Sequence, residues 1–205
     1  MKLKTLAAIC KREGAFCLYD KVDKNGEIIE QWLGSRGAIY PLSSLPYLTE
    51  ENLIALFDIT EKQRDNIFFS HLPLPDALNF GDTDMGETML DRELCTLGYG
   101  GRIIRPLLTH GGLEFINEDY LAPLADVADM LELYERNTAE GGVYFAAKIG
   151  FMIAGIIMPL SIIEEKFVEN IETLARRSRT ALLIKNERSH LNTAEQEEVQ
   201  ELYIL

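Results

Sequence analysis

The N-terminal part of the chain combines one helical pattern of apolar residues with two alternating ones. Apolar residues recur at helical spacing in Leu3–Arg12, whereas Ala15–Val22 and Glu27–Leu33 alternate as half-buried strands do. Asn25-Gly26 lies between the two strands, and this dipeptide is typical of a tight β-hairpin turn because both residues tolerate positive φ angles. The pattern therefore predicts a helix followed by a two-stranded hairpin.

A third strand and two short helices are predicted next. Ala38–Leu42 is apolar, and Pro41 lacks a backbone N–H, which favours a position at the edge of a sheet. Thr49 precedes residues typical of a helix start, and Thr60 with Gln63 fits a capping box. Two helices joined by a tight turn are therefore expected within residues 49–67. The segment Leu72–Gly101 is rich in Pro, Gly and Asp and is expected to be a connection or mobile loop.

The second half of the chain predicts further strands and two longer helices. Arg102–Thr109 and Leu113–Asn117 have the pattern of strands joined by a glycine turn, and Leu121–Asn137 has apolar residues at helical spacing. Val143–Ile163 has Lys148 as its only charge, but Lys148, two glycines and Pro159 interrupt it as a membrane span. Val143–Met158 therefore indicates one or two buried strands.

A last helix is expected to begin at a capping box formed by Ser161 and Glu164. Its apolar face is predicted from residues at helical spacing, namely Ile163, Phe167, Ile171 and Leu174. Arg176, Arg177 and Arg179 are expected near its C-terminal end, where positive charge offsets the helix dipole.

These elements predict an α+β protein with a mixed or antiparallel sheet, or sheets, and packed helices. We expect residues 1–190 to form a single domain, followed by a C-terminal amphipathic helix or tail in 191–205. Two small αβ lobes that divide near residues 73–100 are the alternative. No segment of the chain repeats at a fixed period.

The charge of the chain is strongly acidic and unevenly distributed. Its 20 Lys and Arg and 33 Asp and Glu residues give a net charge of −13, which argues against a protein that coats nucleic acid. Residues 76–140 alone contain 14 acidic and 4 basic residues. This region is either a solvated surface or a surface that attracts a cationic partner. For the second case, the predicted partner-binding residues are Asp76, Asp82, Asp84, Glu87, Asp91 and Glu93.

No cofactor, metal ligand set or catalytic group is predicted. Cys10, Cys17 and Cys95 include no C-x-x-C pair, which favours a reducing, cytoplasmic compartment over a disulfide framework or a zinc site. If the protein is an enzyme, Cys95, His110 and the Asp82–Glu87 loop are the candidates, and they would have to meet in the fold.

Three functional hypotheses follow from the sequence. The first is a non-catalytic cytoplasmic interaction protein that binds a protein partner or itself through the acidic middle region, the C-terminal helix, or both. The second is a small hydrolase or transferase whose site assembles only in the fold. The third is a DNA-linked regulator that uses the helix pair in 49–67, or an acidic mimic of DNA. Nucleic-acid and membrane partners are not favoured.

Two stretches also resemble a known group of proteins. They are QWLGSRGAIYPLSSLPYLTEENLIALFDITEKQRDNIFF and GFMIAGIIMPLSIIEEKFVENIETLA, which together make up 65 of the 205 residues, about a third of the chain. In these stretches the chain resembles uncharacterised proteins of prophages and other mobile elements of Gram-positive bacteria. The resemblance implies an accessory or host-interacting role rather than a metabolic one.

Overall fold

The computed structural model describes residues 1–43, 45–91, 95–160 and 164–202, with side chains up to residue 186. The chain divides into two compact units, Met1–Leu160 and Ser161–Leu205. The first unit contains an eight-stranded mixed sheet and a three-stranded antiparallel sheet, and the second contains one long helix. The predicted α+β class is confirmed.

The elements follow the chain in this order: α1 (Leu3–Glu13), β1 (Ala15–Val22), β2 (Ile28–Gly34), β3 (Ala38–Pro41), α2 (Glu50–Leu56), α3 (Glu61–Arg64), β4 (Phe68–Pro73), β5 (Thr88–Met89), β6 (Leu97–Tyr99), β7 (Arg102–Thr109), β8 (Gly112–Asn117), a 3-10 helix (Glu118–Met130), β9 (Leu131–Asn137), β10 (Val143–Ile149), β11 (Met152–Ile157) and α4 (Glu165–Leu202). The predicted helices at the N-terminus and within 49–67 are confirmed, as are the predicted strands in the N-terminal part, in 102–117 and in 143–158. Thr49 and Thr60 cap α2 and α3 through their side chains, and Thr60 forms the expected capping box.

The large sheet has the strand order β4-β1-β2-β3-β11-β10-β9-β5. All neighbouring strands are antiparallel except β4, which is parallel to β1. The two halves of this sheet share one topology: α1 precedes the meander β1–β2–β3, and the 3-10 helix precedes the meander β9–β10–β11. The two meanders join where β3 pairs with β11, and α1 packs against the 3-10 helix.

One face of the large sheet forms the main core with α1, α2 and the 3-10 helix. Phe16 on β1 is fully buried and stacks between two rings, with centroids 5.8 Å from Phe57 and 5.6 Å from Phe69. Tyr40 on β3 donates a hydrogen bond to the carbonyl of Tyr120 in the 3-10 helix. These contacts fix the 3-10 helix on the sheet, and the 3-10 helix forms one wall of the cavity described below.

The opposite face of the sheet is covered by residues 74–87, which we call the covering segment. Phe80 of this segment packs edge-on against the buried Trp32, with ring centroids 5.0 Å apart. The backbone N–H of Asn79 donates a hydrogen bond to the hydroxyl of Tyr144. The interpretation of Leu72–Gly101 as a connection between lobes therefore does not hold for these residues, because they contribute apolar and polar groups to the same unit as the sheet.

The predicted hairpin of β1 and β2 is confirmed, and the predicted edge position of the third strand is wrong. The hairpin turn spans residues 23–27, where the Asp23 carboxylate accepts hydrogen bonds from the backbone N–H groups of Asn25 and Glu27. Only Gly26 in this loop has a positive φ, of 83°. Strand β3 lies inside the sheet between β2 and β11, and Pro41 is tolerated because it is the last residue of the strand.

The predicted helix at Leu121–Asn137 is also wrong. A 3-10 helix ends at Met130 and strand β9 begins at Leu131. Pro123 lies inside the 3-10 helix, and Val127 has non-helical φ and ψ angles that mark a kink. The stretch from Leu131 onward pairs along its whole length with the next strand, β10, so hydrogen bonding between the two strands overrides the local helical periodicity.

The last helix differs from the prediction in length. The expected capping box at Ser161 and the apolar residue Ile163 lie outside the described residues. Because α4 continues to Leu202, the cluster Arg176–Arg179 lies in its middle rather than near its C-terminal end. The two units of the chain meet after Leu160, and α4 is one continuous helix that includes both 165–190 and most of 191–205.

Candidate functional site

The predicted acidic partner-binding residues fall into two groups, and the first group is bound within the chain. The Asp82 carboxylate accepts a hydrogen bond of 2.9 Å from the backbone N–H of Ile153 on β11. The Asp84 carboxylate accepts one of 2.9 Å from the Asn79 side chain, and this bond lowers the pKa of Asp84. Asp82 therefore fixes the covering segment to β11, whereas Asp84 fixes the conformation within the segment.

Glu87 is the centre of a buried ion-pair network. Its carboxylate lies 2.5 Å from Arg136 and 2.6 Å from Lys148, whose side chains are 0% and 4% exposed. Arg136 also donates hydrogen bonds to the carbonyls of Asn79 and Gly81, each 2.9 Å long. Because all of its carboxylate contacts are internal, Glu87 acts as an anchor for the covering segment.

The pH dependence of stability should report this network. Burial alone would raise the pKa of Glu87, but hydrogen bonds from Lys148 and Arg136 and their positive charges hold the pKa below its ordinary value of 4.5. A carboxyl group with a lowered pKa stabilises the fold above the pKa of the unfolded state and loses this effect as the pH falls through the lower, folded-state pKa. We expect the difference in unfolding free energy between wild type and Glu87→Gln to be greatest above pH 4.5 and to shrink below it. Chemical denaturation across this pH range measures it, and a difference that stays constant would contradict the assignment.

The remaining predicted acidic residues have different surroundings. Asp76 and Asp91 are exposed, and Glu93 lies outside the described residues. Asp76 belongs to the covering segment, whereas Asp91 follows β5 and lines a cavity on the other side of the sheet. Of the six candidates, Asp91 is therefore the described residue that points to a binding site.

The structure does not bring the candidate enzyme residues together. Strand β6, which follows Cys95, pairs with residues 102–104 of β7, and His110 lies beyond the opposite end of β7. At about 3.3 Å per residue, His110 is about 20 Å along the strand from Ile104. The ring nitrogen Nδ1 of His110 instead lies 3.1 Å from the carboxylate of Glu135. Cys95 is exposed and its thiol contacts a backbone carbonyl.

The helix pair in 49–67 offers little to a nucleic acid. Of its basic residues, Arg64 forms a 3.0 Å ion pair with Glu50 across the two helices. Lys62 is exposed, but acidic residues lie beside it on the same short helix. The observed contacts indicate a structural role for the pair, because α2 buries Leu53 and Phe57 in the main core.

A cavity of about 540 Å³ lies between the 3-10 helix, β7, β9 and residues 89–91. Its floor contains Leu90 and Leu107, which are buried in the main core. The other apolar lining residues are Met89, Leu121, Ala122, Ala125, Ala128, Leu131 and Leu133, and the charged ones are Asp91, Arg105, Glu118, Asp119, Asp129 and Glu132. We call this site the acid-rimmed cavity.

The 3-10 helix explains why space is left at this position. In a 3-10 helix, side chains three residues apart eclipse one another. Ala122 and Ala125 therefore present two methyl groups on one side of the helix, and Ala128 follows after the kink at Val127. Small side chains along this wall, opposite leucines on β7 and β9, leave an open apolar volume rather than a packed contact.

Two of the five carboxylates at the cavity are neutralised by arginines. Arg105 binds Glu118 through two hydrogen bonds of 2.6 Å, and these bonds raise the pKa of Arg105. Arg12 forms a 2.7 Å ion pair with Asp119. These pairs stabilise the junction of β7, α1 and the 3-10 helix, and they reduce the charge on that side of the cavity.

Asp91 and Asp129 are the exposed carboxylates at the cavity that have no ion pair in the described part of the chain. Among the described residues, no lysine or arginine lies within salt-bridge distance of them. Glu132 accepts a 2.9 Å hydrogen bond from the hydroxyl of Tyr134, so its carboxylate lies on the face of β9 that carries Tyr134, opposite the face of Leu131 and Leu133 that lines the cavity. The cavity thus combines apolar walls with two exposed carboxylates.

Sequence reasoning missed this cavity because it assigned 121–137 to one helix. Asp129 and Glu132 were counted in the acidic region but were not among the predicted partner-binding residues. The available signal was local: the alanines at 122, 125 and 128 recur every three residues and Pro123 lies among them, which favours a short 3-10 helix with a small-residue face.

The described residues show neither a metal-ligand cluster nor a helix that could cross a membrane. No group of three or more His, Cys, Asp or Glu in this part of the chain could hold a metal ion. None of the helices, over the residues described, has the length and apolar character needed to cross a membrane. Comparisons of the chain with protein-family models, with curated proteins and with solved structures gave no match.

Proposed function

We propose that this chain is a non-catalytic interaction protein that binds a protein partner at the acid-rimmed cavity. The observation that carries the proposal is the combination of an apolar cavity of about 540 Å³ with the exposed carboxylates of Asp91 and Asp129 among its lining residues. Apolar anchors that enter a pocket supply most of the binding energy in protein complexes, and complementary charge increases the association rate and the specificity. This proposal keeps the acidic middle region as the binding surface but moves its centre from 76–93 to the cavity.

The cellular setting is part of the same proposal. The described cysteines, Cys10, Cys17 and Cys95, are all free thiols, which supports a role in a reducing, cytoplasmic compartment. The resemblance to proteins of Gram-positive prophages supports an accessory protein of a mobile element that acts on a host or element protein. A cationic surface on that protein would be the natural complement of a chain with a net charge of −13.

A tagged pull-down from a lysate of the source cells tests the proposal. The wild-type protein should capture a stoichiometric protein partner, and the amount captured should fall as the salt concentration rises. The double variant Asp91→Asn/Asp129→Asn should capture at least about threefold less, since each exposed charge contributes up to about 1 kcal/mol.

Asp76→Asn is the matched control, because Asp76 is also exposed and acidic but belongs to the covering segment. It should capture as much partner as the wild type. Equal capture by the double variant and the wild type, or recovery of the tagged protein alone, would contradict the proposal. A loss seen only with Asp76→Asn would return the binding surface to residues 76–93.

A further inference from the structure

We infer that two copies of this chain pair through helix α4, with the two helices antiparallel along a stripe of apolar and small residues within 164–186. Helix α4 belongs to the second unit of the chain, whereas the acid-rimmed cavity belongs to the first. Pairing through α4 is therefore separate from the proposed function of the cavity. Three observations support it: the exposure of α4, the spacing of the stripe and the separation of the charges.

Helix α4 exposes apolar side chains to solvent. Every side chain that the structure describes in 164–186 is at least partly exposed. Five of the exposed side chains are large and apolar, namely Val168, Leu174, Leu182, Leu183 and Ile184. Most of the stability of a helix in a protein comes from packing of its apolar face, and burial of that face is favourable in proportion to its area. The apolar face of α4 is therefore suited to packing against a second helix.

The spacing along α4 is that of a coiled coil. Residues separated alternately by three and four positions form one stripe, which we call the α4 stripe: Val168, Ile171, Ala175, Ser178 and Leu182. This is the spacing of the two heptad positions that form the seam between paired helices. Because Ala175 and Ser178 are small, two helices can approach closely at the middle of the stripe, while the larger side chains pack on either side.

The charges of α4 select a second copy of the chain and an antiparallel direction. Residues 164–172 contain four glutamates and one lysine, whereas residues 176–185 contain three arginines, one lysine and no acidic residue. Two parallel copies would place like charges side by side. Two antiparallel copies place the acidic half of each helix against the basic half of the other, which is favourable. The face of α4 is thus complementary to itself, as a two-fold symmetric contact requires.

One antiparallel register satisfies both the stripe and the charges. It places Ile171 opposite Leu182 of the second copy and Ala175 opposite Ser178, so that the stripe residues of the two helices alternate across the seam. Glu172 and Arg179 each directly follow a stripe residue, and in this register Glu172 lies beside Arg179 of the second copy. Each of these contacts occurs twice because of the two-fold symmetry.

Sedimentation equilibrium of the whole protein over a range of concentrations tests the inference. The wild type should form a dimer. The variant Ile171→Asp/Leu182→Asp places carboxylates in the seam and should weaken dimerisation at least about tenfold. Leu183→Asp/Ile184→Asp is the matched control, because these side chains are also aliphatic and exposed, at 64% and 46%, but lie outside the stripe. It should dimerise as the wild type does, and circular dichroism checks that both variants keep their helix content.

Charge reversal tests the direction of pairing without changing the stripe. Glu172→Arg and Arg179→Glu should each weaken dimerisation at least about threefold, because each places two like charges together at both ends of the contact. The double variant Glu172→Arg/Arg179→Glu exchanges the two charges and restores opposite signs. It should dimerise within about twofold of the wild type.

Each contrary result overturns the inference. A wild type that is monomeric at every concentration measured would show that α4 does not pair. Unchanged dimerisation of Ile171→Asp/Leu182→Asp would place the contact on another surface, and equal weakening by Leu183→Asp/Ile184→Asp would show that the stripe is not the seam. Charge-reversed single variants that the double variant fails to rescue would contradict the antiparallel direction.

Discussion

Replacing Glu87 with alanine should lower the free energy of unfolding by about 3–5 kcal/mol. The substitution leaves Arg136 and Lys148 buried without the carboxylate that both contact, and buried charges without a partner are strongly destabilising. It also removes the anchor of the covering segment, which packs Phe80 on Trp32. Urea denaturation measures the loss, and the emission of Trp32, which is the single tryptophan of the chain, reports whether this ring becomes exposed.

Asp76→Ala is the control for this prediction, since it removes an exposed carboxylate from the same segment. It should change the free energy of unfolding by less than about 0.5 kcal/mol. A similarly small change for Glu87→Ala would show that the ion-pair network does not hold the covering segment. A large loss of stability without any change in the Trp32 emission of the native protein would place the effect elsewhere than on that face of the sheet.

Replacing Phe16 with alanine should also cost about 3–5 kcal/mol, because removing a buried aromatic ring loses transfer free energy and leaves a void. Phe16 is fully buried between Phe57 at the end of α2 and Phe69 on β4. Its ring therefore joins three elements of the main core. Thermal and urea denaturation of the variant measure the change, and the loss should appear as a lower midpoint.

Phe68→Ala provides the comparison for Phe16→Ala. Phe68 is the neighbour of Phe69 on the edge strand β4, but 52% of it is exposed. This variant should lose far less stability than Phe16→Ala, because less apolar area leaves water at this position. Equal losses for the two variants would contradict the position of the main core on the α1 face of the sheet.

The parts of the fold that were predicted correctly depend on local signals. The side chains of Thr49 and Thr60 accept hydrogen bonds from backbone N–H groups three residues later. Both partners of each bond therefore lie close together in the sequence. The apolar run at 143–158 forms strands β10 and β11 because it is rich in β-branched and aromatic residues. These elements can be predicted without the positions of residues far away in the chain.

The parts that were not predicted depend on pairing and packing rather than on local periodicity. Leu131–Asn137 has apolar residues at both helical and alternating spacing, and pairing with the next strand, β10, selects the strand. The shared topology of the two meanders escaped a search for fixed periods, because it is a similarity in the order of the elements and not a repeat of the sequence.

The candidate site was predicted only in part, for the same reason. Counting charges identified an acidic region correctly, but the sequence could not tell an acidic side chain at a binding surface from one that holds the fold together. Glu87 is fixed by Arg136 and Lys148, which lie 49 and 61 residues away along the chain. Asp129 became a candidate only when β7, β9 and the 3-10 helix were seen to surround one cavity.

Hydrogen–deuterium exchange of the protein with and without its captured partner is the most direct test of the central claim that the acid-rimmed cavity is the binding site. The account predicts that partner binding slows exchange in the 3-10 helix Glu118–Met130 and at the start of β9, which together form most of the cavity wall. Protection confined to residues 74–87, with no change in 118–133, would contradict it and would place the partner on the opposite face of the sheet.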